Sequence, residues 1–124
     1  MKSILLLENK LALVTGAGRG IGRAIAVAYA NAGARVIVTD LSEAACADTR
    51  AEVGAAGAQA WTYALDVCDA DACARLADTV ARELGDLQVL VNNAGLMIRE
   101  KVDSPRAAHA VRQLMEVNYF GTFN

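Results

Sequence analysis

The residues best suited to chemistry form a glycine-rich turn at positions 15–22, with the sequence TGAGRGIG. A short apolar run, residues 11–14, precedes the turn, and apolar residues at helical spacing follow it, at Ile21, Ile25, Ala28 and Ala32. The first N–H groups of a helix have no internal partner, the helix dipole adds positive charge there, and glycines let an anion approach closely. The pattern therefore predicts a cradle for the pyrophosphate of a dinucleotide. A tight strand-to-helix connection is the simpler alternative, whereas a P-loop is excluded because no Gly-Lys-Ser or Gly-Lys-Thr follows.

Asp40 follows a second apolar run, residues 34–39, and predicts how a dinucleotide is selected. A carboxylate at that strand end accepts both hydroxyls of an adenosine ribose and repels a 2′-phosphate, which favours NAD over NADP. Arg19, inside the turn, favours NADP instead, because a guanidinium can pair with a 2′-phosphate. We expect NAD as the cofactor, with NADP still possible.

Two further polar segments follow apolar runs. Asp66, followed by Val67, could receive a hydrogen bond from an adenine amino group, or could cap the next helix. Asn92 and Asn93, followed by Ala94 and Gly95, could join strands through their amides, or form an ordinary turn.

The elements that position these residues alternate between strands and helices. Strands are predicted at 11–14, 34–39, 59–65 and 87–91, and helices after the glycine turn, at 43–56 with Ser42 as its cap, and after Asp69. The apolar face of the helix after Asp69 is expected to consist of Cys73, Leu76, Ala77, Val80 and Leu84. Ser104 and Pro105 predict the start of a further helix that runs toward Asn118.

This alternation predicts an α/β fold, a Rossmann-type doubly wound parallel sheet of about four strands with flanking helices. In such sheets ligands bind beyond the carboxyl ends of the strands. The glycine turn, Asp40, Asp66 and Asn92 to Gly95 all follow strands, so we expect them at one edge of the sheet.

Composition limits the classes of function. Lys and Arg number 12 and Asp and Glu 14, a formal charge of −2, which argues against a nucleic-acid partner. No segment is long and apolar enough for a membrane span, and the apolar start, residues 1–7, lacks a cleavage site, which argues against a signal peptide. The cysteines Cys46, Cys68 and Cys73 lack metal-ligand spacing, so we expect no metal site and a cytoplasmic location. The single histidine, His109, has no partner motif that would suggest catalysis.

From about Glu8 to its end the chain resembles the short-chain dehydrogenases/reductases (SDR family). The motifs that carry the resemblance are the glycine turn, Asp40, Asp66-Val67, Asn92 to Gly95 and Val117-Asn118, in that order. The resemblance implies that the pyrophosphate region is held by Gly16, Arg19, Gly20, Ile21 and Gly22. It further implies that Asp40 binds the adenosine ribose, Asp66 and Val67 the adenine, and that Asn93, Ala94 and Gly95 lie along the cofactor. Asn118 matches the catalytic-set asparagine that helps to hold a proton-relay water.

The resemblance also implies a hydride-transferring oxidoreductase acting on an alcohol or carbonyl. The family's catalytic serine and Tyr-x-x-x-Lys pair should follow the asparagine, yet Tyr29, Tyr63 and Tyr119 are not followed by lysine at that spacing. We therefore expect residues 1–124 to be the NAD(P)-binding part of such an enzyme, a fragment without its catalytic part that can form a homo-oligomer. The alternative is a non-catalytic dinucleotide-binding module or an inactive remnant.

Overall fold

The computed structural model of the chain describes residues 5–95 and 103–124, and so leaves out the first four residues of the amino-terminal apolar run. The described strands are β1 (Leu11–Val14), β2 (Arg35–Asp40), β3 (Ala60–Ala64) and β4 (Val89–Val91). The helices are α1 (Gly20–Asn31), α2 (Glu43–Ala55), α3 (Ala70–Glu83), α4 (Ala107–Met115) and a short α5 (Gly121–Phe123), with a π-helical turn at Glu116–Phe120 between the last two.

The four described strands form one parallel sheet in the order β3-β2-β1-β4. In the central register Val14 lies beside Val38 on one side and Val91 on the other. The carboxyl ends of the strands therefore meet at one edge, and the predicted α/β fold is confirmed.

The sheet is covered by helices on both faces. Alternate residues of β1 and β2 point to opposite sides, so Val14 and Val38 pack with Ala26 of α1 and Val53 of α2. On the other face Leu13 and Ile37 join Val80 of α3, with Trp61, Tyr63, Leu76 and Leu84 packed around them. Two separate cores on one parallel sheet are the mark of a doubly wound fold.

Capping residues set the start of two helices as predicted. The Ser42 hydroxyl accepts the N–H of Ala45 at 3.1 Å, and the Asp69 carboxylate accepts the N–H of Ala72 at 3.0 Å. The prediction for α4 was wrong by two residues. Ser104 Oγ accepts the N–H of Arg106 at 3.1 Å and closes a turn, so the helix begins only at Ala107.

The predicted apolar face of α1 holds only in part, because Ile25 packs against the core but other predicted members do not. Ile21 and Ala28 are exposed, and the buried face consists of Gly22, Ala26 and Ala30. Small side chains let the helix lie close to the sheet, and Gly22 packs directly against the main chain of Gly16. The larger Ile21 is thereby left at the edge of the sheet, beside the strand ends.

The predicted apolar face of α3 holds in part. Val80 is buried, and Leu76 and Leu84 pack on the sheet, but Ala77 is exposed. β4 begins two residues later than predicted, because Gln88 pairs with Leu11 partly through its side-chain oxygen, which accepts the Leu11 N–H at 2.9 Å.

Candidate functional site

A cavity of about 680 Å³ opens at the carboxyl edge of the sheet. Every residue predicted to bind a cofactor lines it except Gly22, namely Gly16, Arg19, Gly20, Ile21, Asp40, Asp66, Val67, Asn93, Ala94 and Gly95. Leu41, Leu65, Cys68, Gln113, Glu116 and Val117 complete the lining. The fold therefore gathers residues from separate segments of the chain around one space.

The glycines of the turn are required for three different reasons. Gly16 has φ of 60°, and a Cβ there would lie 2.8 Å from the Cα of Ala94. Gly22 lies behind the turn, where a Cβ would overlap the main-chain oxygen of Gly16 and the Asn93 amide. Gly20 also has φ of 60°, but the space where its Cβ would stand is open. The turn is thus closed on the protein side and accessible on the cavity side.

The amino terminus of α1 reaches the cavity with its N–H groups uncapped. Arg19 stands at the cap position with extended backbone, and its side chain makes no capping hydrogen bond. The first turn of α1 holds no acidic residue, whereas α2 and α3 have Glu43 and Asp71 there. The positive end of the helix dipole is therefore left for an external anion.

The carbonyl oxygens of the turn, by contrast, are bound by side chains. The Asn93 amide donates to Thr15 O at 3.2 Å and to Gly16 O at 3.1 Å. The Thr49 hydroxyl donates to Ala17 O at 2.7 Å, and Arg23 donates to Gly18 O at 2.6 Å. The prediction that the Asn92-Asn93 pair could tie strands together is thus realised by Asn93.

The contacts of three side chains that shape this region, Thr15, Arg23 and Thr49, were not predicted from the sequence. Thr15 accepts the N–H groups of Asn93 and Ala94 on its hydroxyl, both at 3.0 Å, and so joins β1 to the end of β4. Thr49 and Arg23 do not belong to any sequence motif that would indicate a role at the turn. Their importance depends on α2 lying against the turn, which only the folded chain shows.

Asp40 lies half-buried at the cavity, with its carboxylate fixed by main-chain donors. Oδ2 accepts the N–H of Gly18 at 2.9 Å, and Oδ1 accepts the N–H of Leu41 at 2.8 Å. Within residues 5–95 and 103–124 neither Arg19 nor any other cation forms an ion pair with it. The carboxylate thus presents its charge at a fixed position, with lone pairs left for a ligand hydroxyl.

Asp66 does not cap the following helix, so that alternative is wrong. Its Oδ1 accepts the N–H of Cys68 at 2.9 Å, while Asp69 caps α3. Asp66 is exposed at the cavity, and the next residue, Val67, is buried and forms part of the wall.

Asn118 lies in the π-helical turn beside the cavity. A Cβ on Gly95 would lie 3.3 Å from Asn118 Oδ1, so the two predicted residues are neighbours although they come from different segments. Partial burial, and after it the charge of Asp66, raises the pKa of the neighbouring Cys68 above its ordinary value of 9.0. That thiol stays protonated at neutral pH and is a poor nucleophile.

Two other classes of site are absent from the part of the chain that the structure describes. No three or more His, Cys, Asp or Glu side chains there are grouped to hold a metal ion. No helix among the same residues is long and apolar enough to cross a membrane.

A doubly wound parallel sheet with a glycine turn and an uncapped helix at its carboxyl edge defines the dinucleotide-binding class of α/β proteins. Within that class the chain belongs to the short chain dehydrogenase family, whose sequence pattern matches residues 10–124.

Individual relatives agree with this assignment. The chain is 42% identical over 117 residues to "Probable oxidoreductase EphD" of Mycobacterium tuberculosis, covering 94% of this chain and 19% of that protein. It is 38% identical over 120 residues to the 7alpha-hydroxysteroid dehydrogenase of Escherichia coli, covering 97% and 46%. The crystal structure of a short-chain type dehydrogenase/reductase from Mycobacterium marinum superimposes with a TM-score of 0.88 at 32% identity, covering 97% and 48%. The chain therefore spans less than half the length of each of these relatives.

Proposed function

We propose that residues 1–124 are the NAD(P)-binding domain of an oxidoreductase that transfers hydride between a nicotinamide cofactor and an alcohol or carbonyl substrate. The observation that carries the proposal is a cavity at the strand ends that the four predicted motifs line. Members of this family use NAD(P). The names of the relatives, which are dehydrogenases and an oxidoreductase, support an enzyme rather than a non-catalytic module.

The cavity fits a dinucleotide in size and in the donors that it offers. Its volume of about 680 Å³ lies within the range of small-molecule sites. The turn binds its own carbonyl oxygens to side chains and leaves the α1 amino terminus uncapped, the arrangement that an anionic pyrophosphate requires. We assign this part to Gly16, Arg19, Gly20, Ile21 and Gly22.

The adenosine half would lie between Asp40 and Asp66. The fixed carboxylate of Asp40 accepts the ribose hydroxyls, and Asp66 with Val67 holds the adenine. Among the described residues no cation forms an ion pair with Asp40, so its negative charge would repel a 2′-phosphate. We therefore propose NAD as the preferred cofactor. NADP should therefore bind more weakly than NAD. The exposed Arg19 offsets only part of the repulsion between Asp40 and the 2′-phosphate.

The nicotinamide half would lie along Asn93, Ala94 and Gly95, toward Asn118. When bound, the cofactor accepts or donates the hydride. Gly95 leaves room for close approach, and Asn118 beside it holds a water for proton transfer. The sequence contains no Tyr-x-x-x-Lys pair, so these residues bind and orient the reactants but do not supply the general acid and base.

Composition and surface exposure support three further proposals, on location, nucleic acid and self-association. Three free cysteines support a cytoplasmic location, and the charge of −2 supports the absence of a nucleic-acid partner. Exposed apolar residues on α4 support a homo-oligomer.

A fluorescence titration tests the proposal directly. NADH added to the purified chain should show enhanced nucleotide emission, and ADP-ribose should reverse it by competing for the adenosine half. A folded chain that leaves NADH emission unchanged at millimolar concentration would contradict the proposal.

A further inference from the structure

The glycine turn is held from behind by two side chains that do not line the cavity, Arg23 of α1 and Thr49 of α2. Thr49 is fully buried, and its hydroxyl donates to Ala17 O at 2.7 Å while accepting from Arg23 Nε at 3.1 Å. Arg23 Nη2 donates to Gly18 O at 2.6 Å. The two side chains thus form one chain of hydrogen bonds that ends on two successive carbonyl oxygens of the turn.

Fixing these oxygens also fixes the N–H groups across each peptide. In a planar trans peptide the C=O and the following N–H point in opposite directions. The Gly18 oxygen faces Arg23, so the N–H of Arg19 is turned to the opposite side, and Arg19 lines the cavity. The Ala17 oxygen faces Thr49, and the N–H of Gly18 accordingly reaches Asp40.

Arg23 is not itself placed to bind a phosphate. Asp48 and Glu52 lie 3.9 and 3.8 Å from its guanidinium, on the side of α2, and balance its charge. Its Nε and Nη2 donors are directed at Thr49 and Gly18 O. Any effect of Arg23 on a ligand must therefore pass through the turn.

We propose that Arg23 and Thr49 are positioning residues for the dinucleotide, which orient the peptides of the glycine turn so that the N–H of Arg19 faces the pyrophosphate and the N–H of Gly18 holds Asp40 toward the ribose. The inference rests on the proposed function, since it concerns affinity for the same cofactor. It adds a determinant of cofactor affinity in α2, a helix that does not line the pyrophosphate region of the cavity.

The test compares Thr49→Val and Arg23→Lys in the 124-residue chain with Val53→Ala as a matched control. Val53 is fully buried in α2, one turn beyond Thr49, and has no polar contact with the glycine turn. NADH affinity is measured by calorimetry, unfolding by urea, and exchange of the Gly18 amide by NMR. A buried hydrogen bond in such a network corresponds to about tenfold in affinity.

We expect Thr49→Val and Arg23→Lys to weaken NADH binding about tenfold and to speed the exchange of the Gly18 amide, which donates to Asp40. Val53→Ala should lower stability at least as much and leave the NADH affinity unchanged. Thr49→Ser, which keeps the hydroxyl, should restore the affinity. Folded Thr49→Val and Arg23→Lys chains with unchanged NADH affinity would overturn the positioning role while leaving the proposed function intact. An unmodified, folded chain that does not bind NADH would overturn both.

Discussion

Asn93 is joined to Thr15 across two strands, because its side-chain amide donates to Thr15 O at 3.2 Å while its main-chain N–H donates to the Thr15 hydroxyl at 3.0 Å. The same amide reaches Gly16 O at 3.1 Å. The end of β4 is thereby fastened to the glycine turn, so the segment at Ala94 and Gly95 is placed by the same bonds that shape the turn.

Replacing this amide should destabilise the fold. Asn93→Leu keeps the approximate size but leaves two main-chain oxygens without their donor, so the free energy of unfolding should fall by about 2 kcal/mol. Asn92→Ala, at an exposed neighbour, should change it by no more than about 0.5 kcal/mol. Urea denaturation measures both, and equal effects of the two substitutions would contradict a role for the Asn93 amide.

Two glycines of the turn should respond differently to alanine. Gly16→Ala combines a left-handed backbone with a Cβ 2.8 Å from the Cα of Ala94, so it should lower stability by about 2 to 5 kcal/mol. Gly20→Ala has the same φ but meets nothing, so it should cost only about 1 to 2 kcal/mol. Thermal or urea unfolding of the pair checks the order, and a larger cost at Gly20 would show that the packing of Gly16 against Ala94 is not limiting.

Cys46 should make stability fall at alkaline pH. Its burial, and then the charges of Asp40 and Glu43, raise the pKa of the thiol from 9.0 to about 11. In the unfolded chain this thiol ionises near its ordinary pKa, while the folded chain retains the proton, so the contribution is fully present below pH 9 and is lost as pH rises through 11. The difference in unfolding free energy between the unmodified chain and Cys46→Ala should therefore shrink over that interval.

Parallel urea titrations at several pH values between 8 and 11, a range set by these pKa values, measure that difference. Because other groups titrate equally in both chains, they cancel in the comparison. A difference that stays constant with pH would contradict the raised pKa of Cys46.

The chain should associate through exposed apolar residues. Val111, Met115 and Tyr119 recur every four residues along α4 and the π-helical turn, exposed to 60%, 45% and 50%, with Phe120 packed edge-on against Tyr119. An exposed apolar stripe of this kind favours self-association or aggregation. Size-exclusion chromatography should show a species larger than the 13.0 kDa monomer, and Met115→Lys should reduce it. A cooperatively melting monomer at all concentrations would contradict this prediction.

The sequence predicted the parts of the structure that depend on local pattern. Strand positions, the caps at Ser42 and Asp69, and the gathering of the motifs at one sheet edge follow from hydrophobic runs and side-chain chemistry. The buried face of α1 did not, because the helix approaches the sheet through Gly22 and two alanines rather than through its larger side chains.

Tertiary contacts explain what else the sequence left open. Arg23 and Thr49 have no motif spacing, and their partners are carbonyl oxygens that become available only when α2 lies against the turn. The same holds for Gly18. A Cβ at this position would clash with the main-chain oxygen of Ala45 in α2 and with the carboxylate of Asp40, so only glycine fits. The roles of individual residues toward the cofactor stay predictions, because they concern a ligand rather than the fold.

Calorimetric titration of the purified chain with NADH and then NADPH, beside an Asp40→Asn variant, tests the central claim most directly. The variant removes the charge but keeps an oxygen that can accept the Gly18 N–H. We predict that the unmodified chain binds NADH about tenfold or more tightly than NADPH, and that Asp40→Asn narrows this ratio. A folded chain that binds neither nucleotide would contradict the assignment of the cavity, and one that prefers NADPH would contradict the role of Asp40.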